Sequence, residues 1–181
     1  GAVTLVPVDG GPGAYNANDP NAVAGDGEVT LDIDVVSELA PKANILVYSA
    51  PGTASAGIDT LTAIISQNQA KVVSISYGAC EKNTPQATST AENTLMQEAA
   101  AQGQTVFSSS GDAGDAMCSQ ANPASPDTTL SVIDPGAQPF NTAVGGTTLT
   151  AISPTPTETV WNDNYSLDNS GGVHGSGTGG G

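Results

Sequence analysis

Residues 72–112 read VVSISYGACEKNTPQATSTAENTLMQEAAAQGQTVFSSSGD, and the order of apolar runs in this stretch decides the fold class. Residues 72–77 are a short apolar run of the kind that forms a buried strand. Across 89–102, Leu95, Met96 and Ala99 recur at helical spacing, which predicts a helix turning those side chains inward. Residues 105–109 are a second short apolar run. Strand, helix and strand in that order predict a right-handed crossover between parallel neighbours.

The alternation continues in both directions. Residues 44–49 predict another buried strand, and Ile58, Leu61, Ile64 and Ile65 a helix after it. A helix is predicted over 28–39, stopped by Pro41. Residues 3–8 read as a strand, followed by a Pro- and Gly-rich surface loop to residue 26. Residues 141–149 read as a fourth core strand, and 113–139, with Pro123, Pro126, Pro135 and Pro139, as loop. The expected organisation is strand and loop over 1–26, a βα core over 27–150, and loop with a glycine-rich end over 151–181. The fold class is α/β, a parallel sheet flanked by helices on both faces. The tail from 170 to 181 is either a flexible segment or a glycine-lined strand edge. In parallel sheets ligands sit beyond the carboxyl ends of strands. The positions to search therefore follow Ser49, Tyr77 and Ser110.

The 181 residues carry 18 acidic side chains against three lysines (Lys42, Lys71, Lys82), a net charge of −15. Nucleic acid and anionic membrane surfaces demand clustered cations, so neither is an expected partner. Acid unfolds proteins largely by protonating carboxylates that are paired in the native state. With three cations few such pairs can form, and acid relieves self-repulsion, so the composition suits an acidic setting. Plain solubility is the other reading of the same charge. Cys80 and Cys118 are consistent by count with one disulfide or with two thiols.

Glu28 and Asp32 stand four apart on the predicted helix and project from one face. Taken alone they also fit a solvated N-terminal turn, where carboxylates favour the helix dipole. Asp112 follows a strand end in Ser110-Gly111-Asp112-Ala113-Gly114, which can aim a carboxyl at a ligand or form a polar turn. Ser76, Tyr77 and Gly78 end another strand and could offer backbone groups to an extended peptide. His174 is the sole histidine and lies in the glycine-rich tail, the wrong element for a serine–histidine triad. Position 174 also denies Ser176 a G-x-S-x-G elbow. One His with two distant Cys gives no usual zinc site. Paired carboxylates also bring an aspartic protease to mind, but Asp-Thr-Gly and Asp-Ser-Gly are both absent.

In chain order these pieces resemble the sedolisin family of serine-carboxyl peptidases. Gly27-Glu28-Val29-Thr30-Leu31-Asp32-Ile33, with Ala40-Pro41-Lys42-Ala43-Asn44-Ile45, is similar to the motif bearing the family's catalytic Glu and Asp. Val73-Ser74-Ile75-Ser76-Tyr77-Gly78 resembles its substrate-binding strand, and Ser109-Ser110-Gly111-Asp112-Ala113-Gly114 its oxyanion-hole motif. Thr142-Ala143-Val144-Gly145-Gly146-Thr147 resembles the strand that follows. The resemblance spans about residues 27–172 and implies a subtilisin-like fold, incomplete in this chain. It implies an acid-acting serine endopeptidase in which Glu28 is the general base, Asp32 orients it and shares its proton, and Asp112 lines the oxyanion hole. Ser76, Tyr77 and Gly78 would hold the substrate backbone.

The resemblance also implies a Cys80–Cys118 disulfide between the loops after two neighbouring strands. The family's Gly-Thr-Ser nucleophile motif does not occur here, so the serine is expected beyond residue 181, and the family's calcium site further still. No metal is expected within this chain. The implied partners are a polypeptide substrate, the remaining C-terminal part of the catalytic domain and a propeptide, and the implied location is extracellular and acidic. A non-catalytic extracellular domain of the same fold is the alternative.

Overall fold

The computed structural model describes residues 1–121, 127–152, 155–163, 166–167, 173–174 and 176–179. Pro123 and Pro126 of the predicted loop, and positions 168–172, 175, 180 and 181 of the tail, lie outside the described residues. The chain folds as two compact units, Gly1–Lys71 and Val72–Gly181.

The first unit runs β1 (Val3–Pro7), α1 (Pro20–Leu39), β2 (Ile45–Ser49) and α2 (Ala56–Gln67). β1 and β2 pair in parallel, from Val3 opposite Ile45 to Pro7 opposite Ser49. The Val8 amide extends the ladder to the Ser49 carbonyl at 2.8 Å. α2 packs on β2 and buries Leu61 and Ile65, one turn apart. Full burial of such a side chain is worth about 1.5–3 kcal/mol. Every residue of β2 is half-buried rather than buried.

α1 begins at Pro20, eight residues before the predicted start, so the expected loop ends at Asp19. The Asp19 carboxylate accepts the Asn21 amide at 3.0 Å. Pro20 takes the first helical position, where a missing N–H leaves nothing unsatisfied. Two interior glycines, Gly25 and Gly27, each cost about 1 kcal/mol against Ala and hide this turn from a pattern reading. The other end is as expected: the Ala40 amide closes on the Val36 carbonyl at 2.8 Å, and Pro41 follows.

In the second unit, β3 (Val72–Ile75), β5 (Thr105–Ser109) and β7 (Thr142–Val144) form a parallel sheet in that order. Between β3 and β5 come β4 (Ala79–Cys80), a 3-10 turn (Glu81–Asn83) and α3 (Gln86–Ala101). α3 rests on β5 and buries Met96 and Ala99 as expected, with Leu95 half-buried. β3 stops at Ile75, short of the predicted Tyr77. It is an edge strand of this sheet and leaves Val72 66% exposed, where the apolar run predicts a buried strand.

Two other expectations are corrected. The run over 141–149 is not one strand. β7 ends at Val144, and after Gly145 and Gly146 the chain enters β8 (Thr147–Ala151), which pairs antiparallel with β9 (Thr157–Val160). Nor is 113–139 wholly loop. It contains a 3-10 turn (Met117–Ala121) and β6 (Ile133–Asp134), which pairs antiparallel with β4, Ala79 opposite Asp134 and Cys80 opposite Ile133. Two-residue strands carry no periodicity, so nothing in the sequence announces them. Further on, β10 (Ser166–Leu167) pairs antiparallel with β11 (Val173–His174).

Cys80 and Cys118 form the expected disulfide, with Cα atoms 4.9 Å apart and a sequence separation of 38. Both cysteines are buried, and the bridge joins β4 to the 3-10 turn that begins at Met117. In the chain-entropy model such a bridge contributes about 3–4 kcal/mol by restricting the unfolded chain. The double variant C80S/C118S should therefore lose about that much stability, read from urea denaturation of oxidised wild type against variant.

Candidate active site

Glu28 and Asp32 lie on the half-buried face of α1, which also carries Ala22, Gly25, Val29, Ile33 and Val36. Asp26, Asp34 and Glu38 are exposed. Because α1 starts at Pro20, Glu28 sits in mid-helix, and the N-terminal-turn explanation for the pair falls. The dipole acts within the first turn only. Two carboxylates one turn apart in mid-helix repel by a few tenths of a kcal/mol, with no compensation from the helix end. This is the one place on α1 where two acids share the half-buried face.

In the second unit, β5 continues past its last residue. The Ser110 amide donates to the Val144 carbonyl at 3.0 Å, and Gly111 then turns the chain at φ +92°. That left-handed geometry favours glycine. It sends Asp112 to the surface with an exposed side chain. Residues 176–179 run alongside this turn. The Gly177 amide donates to the Asp112 carbonyl at 2.9 Å, the Gly114 amide to the Gly177 carbonyl at 2.9 Å, and the Gly179 amide to the Gly111 carbonyl at 2.9 Å. Thr178 places its hydroxyl 3.1 Å from that of Ser110 and accepts the Gly146 amide at 2.8 Å. Of the two readings of the tail, these described residues take the strand-edge one. Thr178 ties the end of β5 to the Gly145–Gly146 segment, a link that no motif signals.

Residues 76–78 lead from β3 into β4. Ser76 is half-buried, and Tyr77 is 54% exposed. A Cβ at Gly78 would lie 2.6 Å from the Ile133 side chain and 2.7 Å from the Asp134 carbonyl oxygen. Ile133 also fills the space beside Gly136, at 2.7 Å from its notional Cβ, and beside Gly111, at 3.6 Å. One buried side chain thus brings the end of the 76–78 segment and the turn before Asp112 together. Asn141 braces the same region, its amide donating to Ser108 Oγ at 2.9 Å and to the Pro135 carbonyl at 2.8 Å.

Glu28 and Asp32 belong to the first unit, and Ser76, Tyr77, Gly78, Asp112 and the disulfide to the second. His174 lies on β11, opposite Ser166. Among the described residues no group of three or more His, Cys, Asp or Glu side chains could hold a metal ion. No helix among them is long and apolar enough to cross a membrane.

The family model of subtilases matches residues 13–175. The chain belongs to the subtilase family. It is 38% identical over 182 residues to kumamolisin of Bacillus sp. (strain MN-32), a match covering 99% of this chain and 30% of that protein. Against sedolisin of Pseudomonas sp. (strain 101) it is 38% identical over 176 residues, 92% of this chain and 29% of the relative. The structure of Pseudomonas sedolisin, a serine-carboxyl proteinase complexed with two molecules of pseudo-iodotyrostatin, superposes with a TM-score of 0.75 at 33% identity. That match covers all of this chain and 50% of the other. The subtilisin-like α/β fold is therefore present, and this subtilase chain spans under a third of the length of these two curated relatives.

Within the subtilase chain, the close approach at Gly78 has a direct consequence. Gly78→Ala would press a methyl group against a backbone carbonyl as well as the Ile133 side chain, and the carbonyl cannot swing aside. The variant should lose about 1–3 kcal/mol, the usual cost of overpacking, measured by thermal or urea denaturation at fixed pH.

Proposed function

We propose that this chain forms part of an acid-acting serine endopeptidase, in which Glu28 is the general base, Asp32 orients it and shares its proton, and Asp112 donates to the oxyanion. The observation that carries the reading is the pairing of Glu28 and Asp32 on the inner face of α1, in mid-helix, in a chain with a single histidine. The similarity to kumamolisin and to sedolisin, a serine-carboxyl proteinase, supports the same assignment.

The chemistry accounts for each residue type. At pH 4 an unperturbed imidazole is neutral in only about 0.3% of molecules, whereas an unperturbed Glu is ionised in roughly a third. A carboxylate can therefore accept the serine proton where imidazole cannot. An aspartate donates a hydrogen bond to an oxyanion only while protonated, a state that acid or burial favours. An oxyanion donor is worth about 100- to 1000-fold in rate. Ser76, Tyr77 and Gly78 would bind the substrate backbone by adding it as a strand. The nucleophilic serine, in a Gly-Thr-Ser motif, would come from outside these residues, as would a structural calcium site that takes no part in the chemical steps. A polypeptide substrate, a propeptide, the remainder of the catalytic domain and an extracellular acidic location complete the proposal.

In the full-length protein, Glu28→Gln should lower kcat by about 100- to 10,000-fold, the range for losing a general base, with an unchanged circular dichroism spectrum. Near-normal turnover would remove Glu28 from the mechanism. Activity of the wild type should fall as pH rises from about 4 to about 7, because a carboxyl acting as oxyanion donor works only in its acid form. A flat profile over that range would rule out a protonated Asp112.

A further inference from the structure

A second pair of acids, Glu92 on α3 and Asp134 on β6, plays no part in the proposed chemistry. The two side chains lie within hydrogen-bonding reach of each other, although 42 positions separate them in the sequence. Asp134 is 4% exposed. Its Oδ1 accepts the Gln138 amide at 2.8 Å, and the same Gln138 nitrogen reaches the carbonyl and hydroxyl of Ser89 on α3. Its Oδ2, and Oε2 of Glu92, are buried and find no donor as long as both groups are charged.

Two carboxylates cannot satisfy each other, because neither has a hydrogen to donate. A single proton between them satisfies both orphan oxygens and removes the repulsion. We infer that Glu92 and Asp134 share one proton and act as a latch that fastens β6 to α3, and through β6 holds β4 and the 76–78 segment in position. The path is short: Asp134 pairs with Ala79, and its carbonyl is the one that Gly78 approaches. Its importance for substrate binding rests on the function proposed above, whereas the latch itself does not.

Burial first, then the hydrogen bond and charge of Asp134, push Glu92 up to about 8 from an ordinary 4.5. Gln138 and Ser89 are the neutral groups facing the pair. Among the described residues, Asp134 is the charged group acting on Glu92. On the turn after β4, Lys82 is committed to Asp127, at 3.6 Å, and to Thr129. With the folded value above the unfolded one, the native state holds a proton that the unfolded chain releases. The latch is then fully effective below about pH 4.5 and is lost as pH rises through about 8.

The test is amide exchange in the full-length protein at Glu81 and Ala137, which donate to the Val132 and Ile133 carbonyls. After correction for intrinsic rates, both should open on the order of 100-fold or more as often at pH 8 as at pH 5, because one proton released on opening contributes about tenfold per pH unit between the two midpoints. Glu92→Gln supplies a permanent N–H donor, so it should keep the protection seen at pH 5 and abolish the pH dependence. Wild-type pH dependence in that variant would overturn the latch. If E92Q does not fold, carbon-13 titration of Glu92 in the wild type decides: a midpoint near 8 supports the shared proton, and one near 4.5 overturns it. Asp134→Asn gives an independent check, since it should return the Glu92 midpoint toward 4.5.

Discussion

The second unit depends on one close-packing constraint, the seating of Ile133 among Gly78, Gly111 and Gly136. An isoleucine side chain brings a branched apolar surface to a place where three backbones converge. A Cβ at Gly78 or Gly136 would come within 2.7 Å of it, whereas at Gly111 it sits at an ordinary 3.6 Å and Met117 Sδ is the atom that crowds the notional Cβ. Burial of Ile133 therefore contributes apolar stabilisation and also fixes three segments at once: the exit from β3, the exit from β5 and the turn after β6. From that fixed point the rest follows. The Ser110 amide completes the β5–β7 ladder, Gly111 turns the chain, and Asp112 emerges where residues 176–179 can pair alongside.

The elements that carry a periodic signal are legible in the sequence. β5 runs over the predicted residues, α3 buries Met96 and Ala99, and β1 and β2 stand where the short apolar runs do. Differences arise where local preference and tertiary structure disagree. Gly25 reads as loop and Gly27 as the boundary before the helix, yet α1 runs through both. Gly145 and Gly146 interrupt what reads as one strand, because Gly146 must approach Trp161 and bond to Thr178. β6 is invisible, since two residues of strand have no period.

The candidate site is legible to a different degree. Glu28, Asp32 and Asp112 stand out by type and order, but spacing alone does not separate a reactive pair from a solvated helix start. Capping by Asp19 removes only the helix-start explanation, by moving the helix start well before Glu28. Thr178 and the Glu92–Asp134 pair are beyond the reach of pattern. Their partners are 68 and 42 residues away in the chain, so their contacts are a product of folding alone.

The bridge between Cys80 and Cys118 closes a covalent ring that contains the whole of α3 and β5. A single backbone cut anywhere within that ring would leave the two pieces tethered, with the central strand of the sheet still attached to the rest. A nick there would not release a fragment, and re-docking of the severed ends would remain an intramolecular event.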